Sequence, residues 1–192
     1  MPVTSNFDAA FAYVLVNEGV VYTQNGSGAG AGLDRGKDTK YGITLATLAA
    51  WRASQGSTKK VVGADVAALS MDEAGKIYRA NYWSKVGGES LTDWAVATAI
   101  FDASVLTGVS WAAKGAQTVA NSLGQSLTVD GLIGLKSVWA INSCPREAFI
   151  LAFAARQQQY FVDIVQRDAT QRVWLKNWVR RAAYYSDLVF AV

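Results

Sequence analysis

The segment "SLTDWAVATAIFDASVLTG", residues 90–108, is apolar on nearly every side. At 3.6 residues per turn it offers water no continuous polar face, so it is expected to form a buried central helix closed by Gly108. The other periodic segments are helical too. Residues 5–18 place Phe7, Phe11, Val14 and Leu15 on one apolar stripe, with Ser5 as the cap and Asp8 in the first turn. "SMDEAGKIYRANYW" has a capping-box pattern, Ser70 with Glu73, ahead of a helix ending near Trp83. Further helices are expected near 110–122 and 136–142, and two long ones from Pro145 onward. Strands, if any, are confined to residues 19–44, so the expected class is mainly α with a short irregular or β-hairpin segment there.

The residue inventory limits the chemistry. The 192 residues include no His and one Cys, which excludes His-based triads, His-ligated metals, Cys-rich zinc sites and an intramolecular disulfide framework. Acid–base work therefore falls mainly to Asp, Glu, Tyr or Lys, and no metal or cofactor is expected. With 51% hydrophobic residues and no bilayer-length apolar run, the chain suits a soluble globular domain, possibly of two lobes. Its formal charge of +3 is uneven: Arg172, Lys176 and Arg180 recur at i, i+4 spacing with Arg181 beside them. That is either a solvated helix face or a patch for an anionic polymer. No nucleic-acid-binding pattern is present, so nucleic acid is not an expected partner.

The tract "GSGAGAG" raises the question of a phosphate loop, but position by position it fails. A P-loop ending at Gly36-Lys37 would need Gly at Ala31 and Ser or Thr at Asp38, and the dinucleotide fingerprint falls on Leu33 or Ala31. The tract reads as a connector. What it connects is more telling. Glu18 is the next position on the apolar stripe of residues 5–18, at a helix C-terminus. The helix dipole and apolar neighbours there both raise a carboxyl pKa, which suits a general acid; the other reading is a glutamate that snorkels or pairs with an Arg. "LDRGKDTKYGIT" then supplies Asp34, Asp38, Thr39, Tyr41 and Thr44, a second carboxylate and hydroxyls able to position water.

Taken together, Phe7, Glu18-Gly19 and Asp34-x-Gly36-x-x-Thr39-x-Tyr41-Gly42-Ile43-Thr44 resemble glycoside hydrolase family 108 muramidases, found as phage endolysins and bacterial toxin-release enzymes. The resemblance continues through "IYRANYW", "FDASVLTG", "AAKGAQ" with "VDGLIG", Arg156, Tyr160 and "LKNWVRR", nearly the whole chain. It departs from the family pattern at Val20, Arg35, Lys37, Leu106, Ala116 and Asn177, and its turn from glutamate to aspartate is several residues longer.

The resemblance implies a lysozyme-like helical fold, with residues 1–108 as a catalytic half and 109–192 resembling a peptidoglycan-binding region. It implies cleavage of the β-1,4 bond between N-acetylmuramic acid and N-acetylglucosamine. Glu18 would be the catalytic acid, with Asp34 and Thr39 at the second and third polar positions; Asp38 is a possible substitute for Asp34. Gly42, Asp38, Gln117 and the aromatics Tyr41, Tyr82 and Trp83 are candidate substrate contacts, although aromatics at helix ends are also common core residues. Asp102, inside an apolar helix, is expected to be structural. A non-catalytic wall-binding module and a lytic transglycosylase are the competing readings. The expected partner is peptidoglycan, with an anionic envelope surface facing Arg172, Lys176, Arg180 and Arg181, and the protein is expected to be a monomer. "MPVTSNFDAAF" lacks the pattern of a secretory signal. The expectation is therefore synthesis in a host cytoplasm, holin-type or dedicated release, and action in the periplasm or cell wall.

Overall fold

The computed structural model describes residues 5–18 and 38–190, apart from the side chains of Asn17, Glu18, Ser186 and Phe190. Expectations resting on Asp34, the glycine tract and the Glu18 carboxyl lie outside the described residues. The fold is mainly α and lysozyme-like, and its strands among the described residues form one two-stranded sheet. The described residues pack as two compact units, one of those between Phe11 and Arg79 and one of those up to Ala10 and from Ala80 onward.

In the smaller unit, α1 (Asn6–Glu18) contributes its second half. Its start is set by a reciprocal cap: the Asp8 amide donates to Ser5 Oγ at 3.2 Å and the Ser5 hydroxyl to Asp8 Oδ2 at 2.7 Å. Phe11, Val14 and Leu15 are buried, as the stripe requires. The hairpin β1 (Thr39–Lys40) and β2 (Ile43–Thr44) follows, then α2 (Leu45–Ser54), α3 (Gly63–Ala67) and α4 (Met71–Tyr78). Helices α2 and α3 are not signalled by the caps read in the sequence.

At the start of α4 the Ser70 hydroxyl accepts from the Glu73 amide at 3.1 Å, but the Glu73 carboxylate does not complete the box. It instead takes two hydrogen bonds from Arg52 of α2, both 2.9 Å, while Arg52 also donates to Asp65 of α3 at 3.0 Å. One guanidinium thus ties three helices, a geometry suited to its planar fork. The Arg52 hydrogen bonds hold the Glu73 carboxyl below its ordinary pKa, and the Val62 amide, then Arg52, do the same for Asp65. Depressed carboxyl pKa values add stability above the unfolded values, near ~4, and that stability is lost as pH falls through the folded ones. Melting temperature should therefore drop between about pH 5 and pH 3, and Arg52→Met should lessen that slope, while Asp130 and Asp168, whose carboxyls are held low by other hydrogen bonds, keep the rest. An unchanged slope in the variant would show that the clamp is not its source.

After α4 come a π-helical turn, Arg79–Trp83, and a 3-10 turn, Ser84–Val86, and the larger unit takes up the chain from Ala80. Then come α5 (Trp94–Thr107), α6 (Val109–Ser122), α7 (Leu135–Asn142), α8 (Arg146–Arg167), a 3-10 turn at Ala169–Gln171, α9 (Arg172–Ala183) and α10 (Tyr185–Phe190). Every side chain of α5 from Ala95 to Ser104 is buried, so the all-apolar segment is the central helix. It packs against α6, α8 and α10. Gly108, at φ 92°, joins α5 to α6 inside this unit. The region after Pro145 holds one long helix and two shorter ones rather than two long ones.

Asp102 of α5 has no exposed surface. The Arg181 Nη2 donates to Oδ1 at 2.8 Å, its Nε lies 3.1 Å from Oδ2, and the Tyr185 hydroxyl donates to Oδ2 at 2.8 Å. Asp102 is a structural carboxylate, and the network corrects the expected basic face. Arg172, Lys176 and Arg180 are exposed, but Arg181 is only 9% exposed. The reason is angular: Arg181 follows Arg180 by about 100° around the helix, which turns it from the outer face to the core.

Candidate active site

Of the candidate catalytic residues, Glu18 and Thr39 are described, and both belong to the smaller unit. Glu18 is the last residue of α1, and Asp38 directly precedes the hairpin. The register pairs Thr39 with Thr44 and Lys40 with Ile43, leaving Tyr41-Gly42 as a two-residue turn. Both turn residues have positive φ, 54° at Tyr41 and 72° at Gly42. That is the type I′ pattern, whose twist matches a tight hairpin and which glycine adopts at little cost. Buried Ile43 anchors the hairpin inward, and the Asp38 carbonyl accepts from the Leu45 amide at 3.2 Å beyond its far end.

Two side chains hold the turn in place. Lys40 Nζ donates to the Ala67 carbonyl at the end of α3, 2.8 Å away, and sits 5.3 Å from the centre of the Tyr41 ring. The Tyr78 hydroxyl donates to the Tyr41 carbonyl at 2.8 Å. The same buried Tyr78 ring lies 5.2 Å from Phe11 of α1. Tyr78 therefore touches both the helix that ends in Glu18 and the turn that follows Thr39. Its sequence signal is only membership of "IYRANYW", where Tyr82 and Trp83 draw attention first.

Tyr78→Phe keeps the ring and deletes the hydroxyl. The lost hydrogen bond should cost about 1 kcal/mol of stability. If the hairpin helps position substrate, kcat should fall on the order of tenfold, because small misplacements are expensive in catalysis. Unchanged kcat would restrict Tyr78 to packing.

Asp38, Thr39, Tyr41 and Gly42 are thus neighbours on one hairpin, partly exposed or exposed. Tyr82 is half-buried in the larger unit's π-helical turn. Two other candidates are corrected. Trp83 is 1% exposed, edge-on to Phe7 at 5.6 Å and to Phe101 at 5.4 Å, so its ring has no open face for a sugar. Gln117 is also buried, and its amide is fully engaged: Nε2 donates to Asp130 Oδ1 at 2.8 Å and to the Leu132 carbonyl at 3.0 Å, while Oε1 accepts from the Gly131 amide at 2.9 Å. It organises the "VDGLIG" turn. Asp130 also accepts from the Leu132 amide at 2.9 Å, and the Gln117 bond is the first cause of its lowered carboxyl pKa. No group of His, Cys, Asp or Glu able to hold a metal occurs among the described residues.

Comparison with known proteins identifies two family regions along the chain. Residues 11–108 match the family model Glycosyl hydrolase 108, and residues 111–183 match the model Predicted Peptidoglycan domain. No curated protein matches the chain. Among solved structures, SagA of Brucella abortus is 30% identical, aligned over 94% of this chain and 95% of that one at a TM-score of 0.64. A hydrolase region followed by a peptidoglycan domain makes this a glycoside hydrolase acting on peptidoglycan, and the chain belongs to the glycosyl hydrolase 108 family.

Proposed function

We propose that the chain is an endolysin-type N-acetylmuramidase, with Glu18 as general acid and Asp34 as its partner. The observation that carries this reading is the position of Glu18, the last residue of α1 inside the matched hydrolase region. The carbonyl end of a helix disfavours a charged carboxylate, so a glutamate there tends to keep its proton. The Glu18 proton passes to the glycosidic oxygen as the bond from muramic acid C1 breaks. A water oxygen then bonds to C1, and its spare proton goes to a carboxylate. Asp34 begins the run that ends at Thr39, which favours it over Asp38.

Purified sacculi should lose turbidity and release reducing sugars with the parent protein. Asp34→Asn should slow that release far more than Asp38→Asn; the reverse order would make Asp38 the partner, and no release at all would leave a wall-binding module. The substrate lies outside the cytoplasmic membrane, so the enzyme acts in the cell envelope.

The exposed cations Arg172, Lys176 and Arg180 add a long-range attraction to the anionic envelope. Changing all three to Ser should weaken sacculus binding at low salt and flatten its salt dependence, since the Debye length is only ~8 Å at physiological ionic strength. Salt dependence identical to the parent's would leave them as a solvated face.

A further inference from the structure

Helix α7 is apolar on two faces, and only one of them is covered. Ser137, Ala140 and Ile141 are directed into the core of the larger unit. On the opposite side Leu135 is 86% exposed and Trp139 70% exposed, one turn apart, with Leu132 just before the helix at 73%. Isolated exposed apolar residues are ordinary, but an indole and two leucines together on one short helix and its lead-in are a binding feature. Beside them is a groove of about 470 Å³, lined by Gln125, Leu127, Leu135, Lys136 and Trp139. That volume lies in the range of ~300–1,000 Å³ usual for ligand sites.

The walls of the groove are fixed before anything binds. Asn121 Oδ1 accepts from the Leu127 amide at 2.7 Å and Asn121 Nδ2 donates to the Leu127 carbonyl at 2.9 Å, which pins the first wall to α6. The Gln117 and Asp130 network fixes the turn that launches α7. At the other end of α7, Asn142 Oδ1 accepts from the Thr92 amide at 3.0 Å and Nδ2 donates to the Ser90 carbonyl at 3.1 Å. A groove held this way loses little freedom on binding.

We propose that this groove is where the wall polymer is gripped: it takes a peptidoglycan strand, one pyranose stacked on the Trp139 indole, with Lys136 facing the carboxylates of the attached peptide. This rests on the reading of the chain as a peptidoglycan hydrolase, and every lining residue falls inside the region that matches the peptidoglycan domain. The chemistry is complementary. The C–H face of a sugar ring is apolar and fits an aromatic surface, and its rim of acetamido and hydroxyl groups suits the Gln125 amide. The ammonium of Lys136 meets the negative charge that peptide stems carry. A second copy of the chain fits less well, because a two-fold contact over this patch would bring Lys136 of each copy towards the other.

Binding is read with the full chain carrying Glu18→Gln, at 4 °C, by co-sedimentation with purified sacculi, so that the groove and the cleavage chemistry fail separately. Trp139→Ala should raise the apparent Kd at least tenfold, and the loss should persist in high salt. Trp139→Phe, which restores an aromatic face, should recover most of the affinity. Lys136→Glu, at an exposed position, should weaken binding on its own, and an unchanged melting temperature in each variant excludes unfolding as the cause. Wild-type affinity in Trp139→Ala overturns the proposal. So does sedimentation showing a dimer of the parent that Trp139→Ala converts to monomer, since the groove would then belong to a second copy.

Discussion

Glu18→Gln should cut the rate of sacculus hydrolysis by on the order of a hundredfold or more while leaving the melting temperature close to the parent's. Gln has nearly the shape of Glu but no acidic proton. The leaving sugar oxygen would then depart unprotonated, and general acid catalysis contributes ~10²–10⁴-fold. A hundredfold loss corresponds to about 2.7 kcal/mol of transition-state stabilisation. Stability should hold because Glu18 is the final residue of α1, beyond the buried stripe of Phe11, Val14 and Leu15. Sacculus binding should survive too, since α7 and its groove lie in the other unit. Full activity in this variant would remove Glu18 from the chemistry.

The largest structural effect is expected at Asp102. Asp102→Ala deletes the acceptor of both the Arg181 guanidinium and the Tyr185 hydroxyl, and Arg181 would be left buried without that partner. Breaking a buried pair in this way costs about 3–5 kcal/mol, much of it the penalty of the stranded charge. That is a large share of the ~5–15 kcal/mol that holds most domains together. The variant should unfold at a much lower urea concentration than the parent, or fail to accumulate as soluble protein. Arg181→Met with Asp102→Leu, which removes both charges and keeps the volume, should regain much of the loss. If Asp102→Ala unfolds at the parent's urea concentration, the network is not holding α9 and α10 to the central helix.

These two residues also mark what the sequence makes legible. The central helix can be read directly, because a segment apolar on every side has only one comfortable place. Asp102 is legible for the same reason: a lone carboxylate in such a helix needs a partner. Which partner is not legible, since Arg181 is 79 positions away and reads as one of a run of exposed cations. A single residue step of about 100° decides that case, and linear spacing registers it poorly. Trp83 and Gln117 fail as ligand contacts for a related reason. Both are capable of binding sugar, and tertiary packing uses the capacity internally, against Phe7 and Phe101 in one case and on the "VDGLIG" turn in the other. Trp139 goes the other way. Its i, i+4 pairing with Leu135 looks like an ordinary core stripe, and only the fold reveals that this face of α7 is uncovered. Glu18 stands out in the sequence as a conflict, a carboxylate closing an apolar stripe, and conflicts of that kind concentrate at functional sites, which is why it heads the proposal above.

The bond that is cut can be identified from the sugar it leaves behind. Sacculi digested with the parent protein and then reduced with borohydride should yield N-acetylmuramitol ends, the mark of hydrolysis at muramic acid C1. Anhydromuramic ends would identify a transglycosylase that uses no water, and N-acetylglucosaminitol ends would mean cleavage of the other glycosidic bond. Either product would contradict the assignment of this chain as a muramidase.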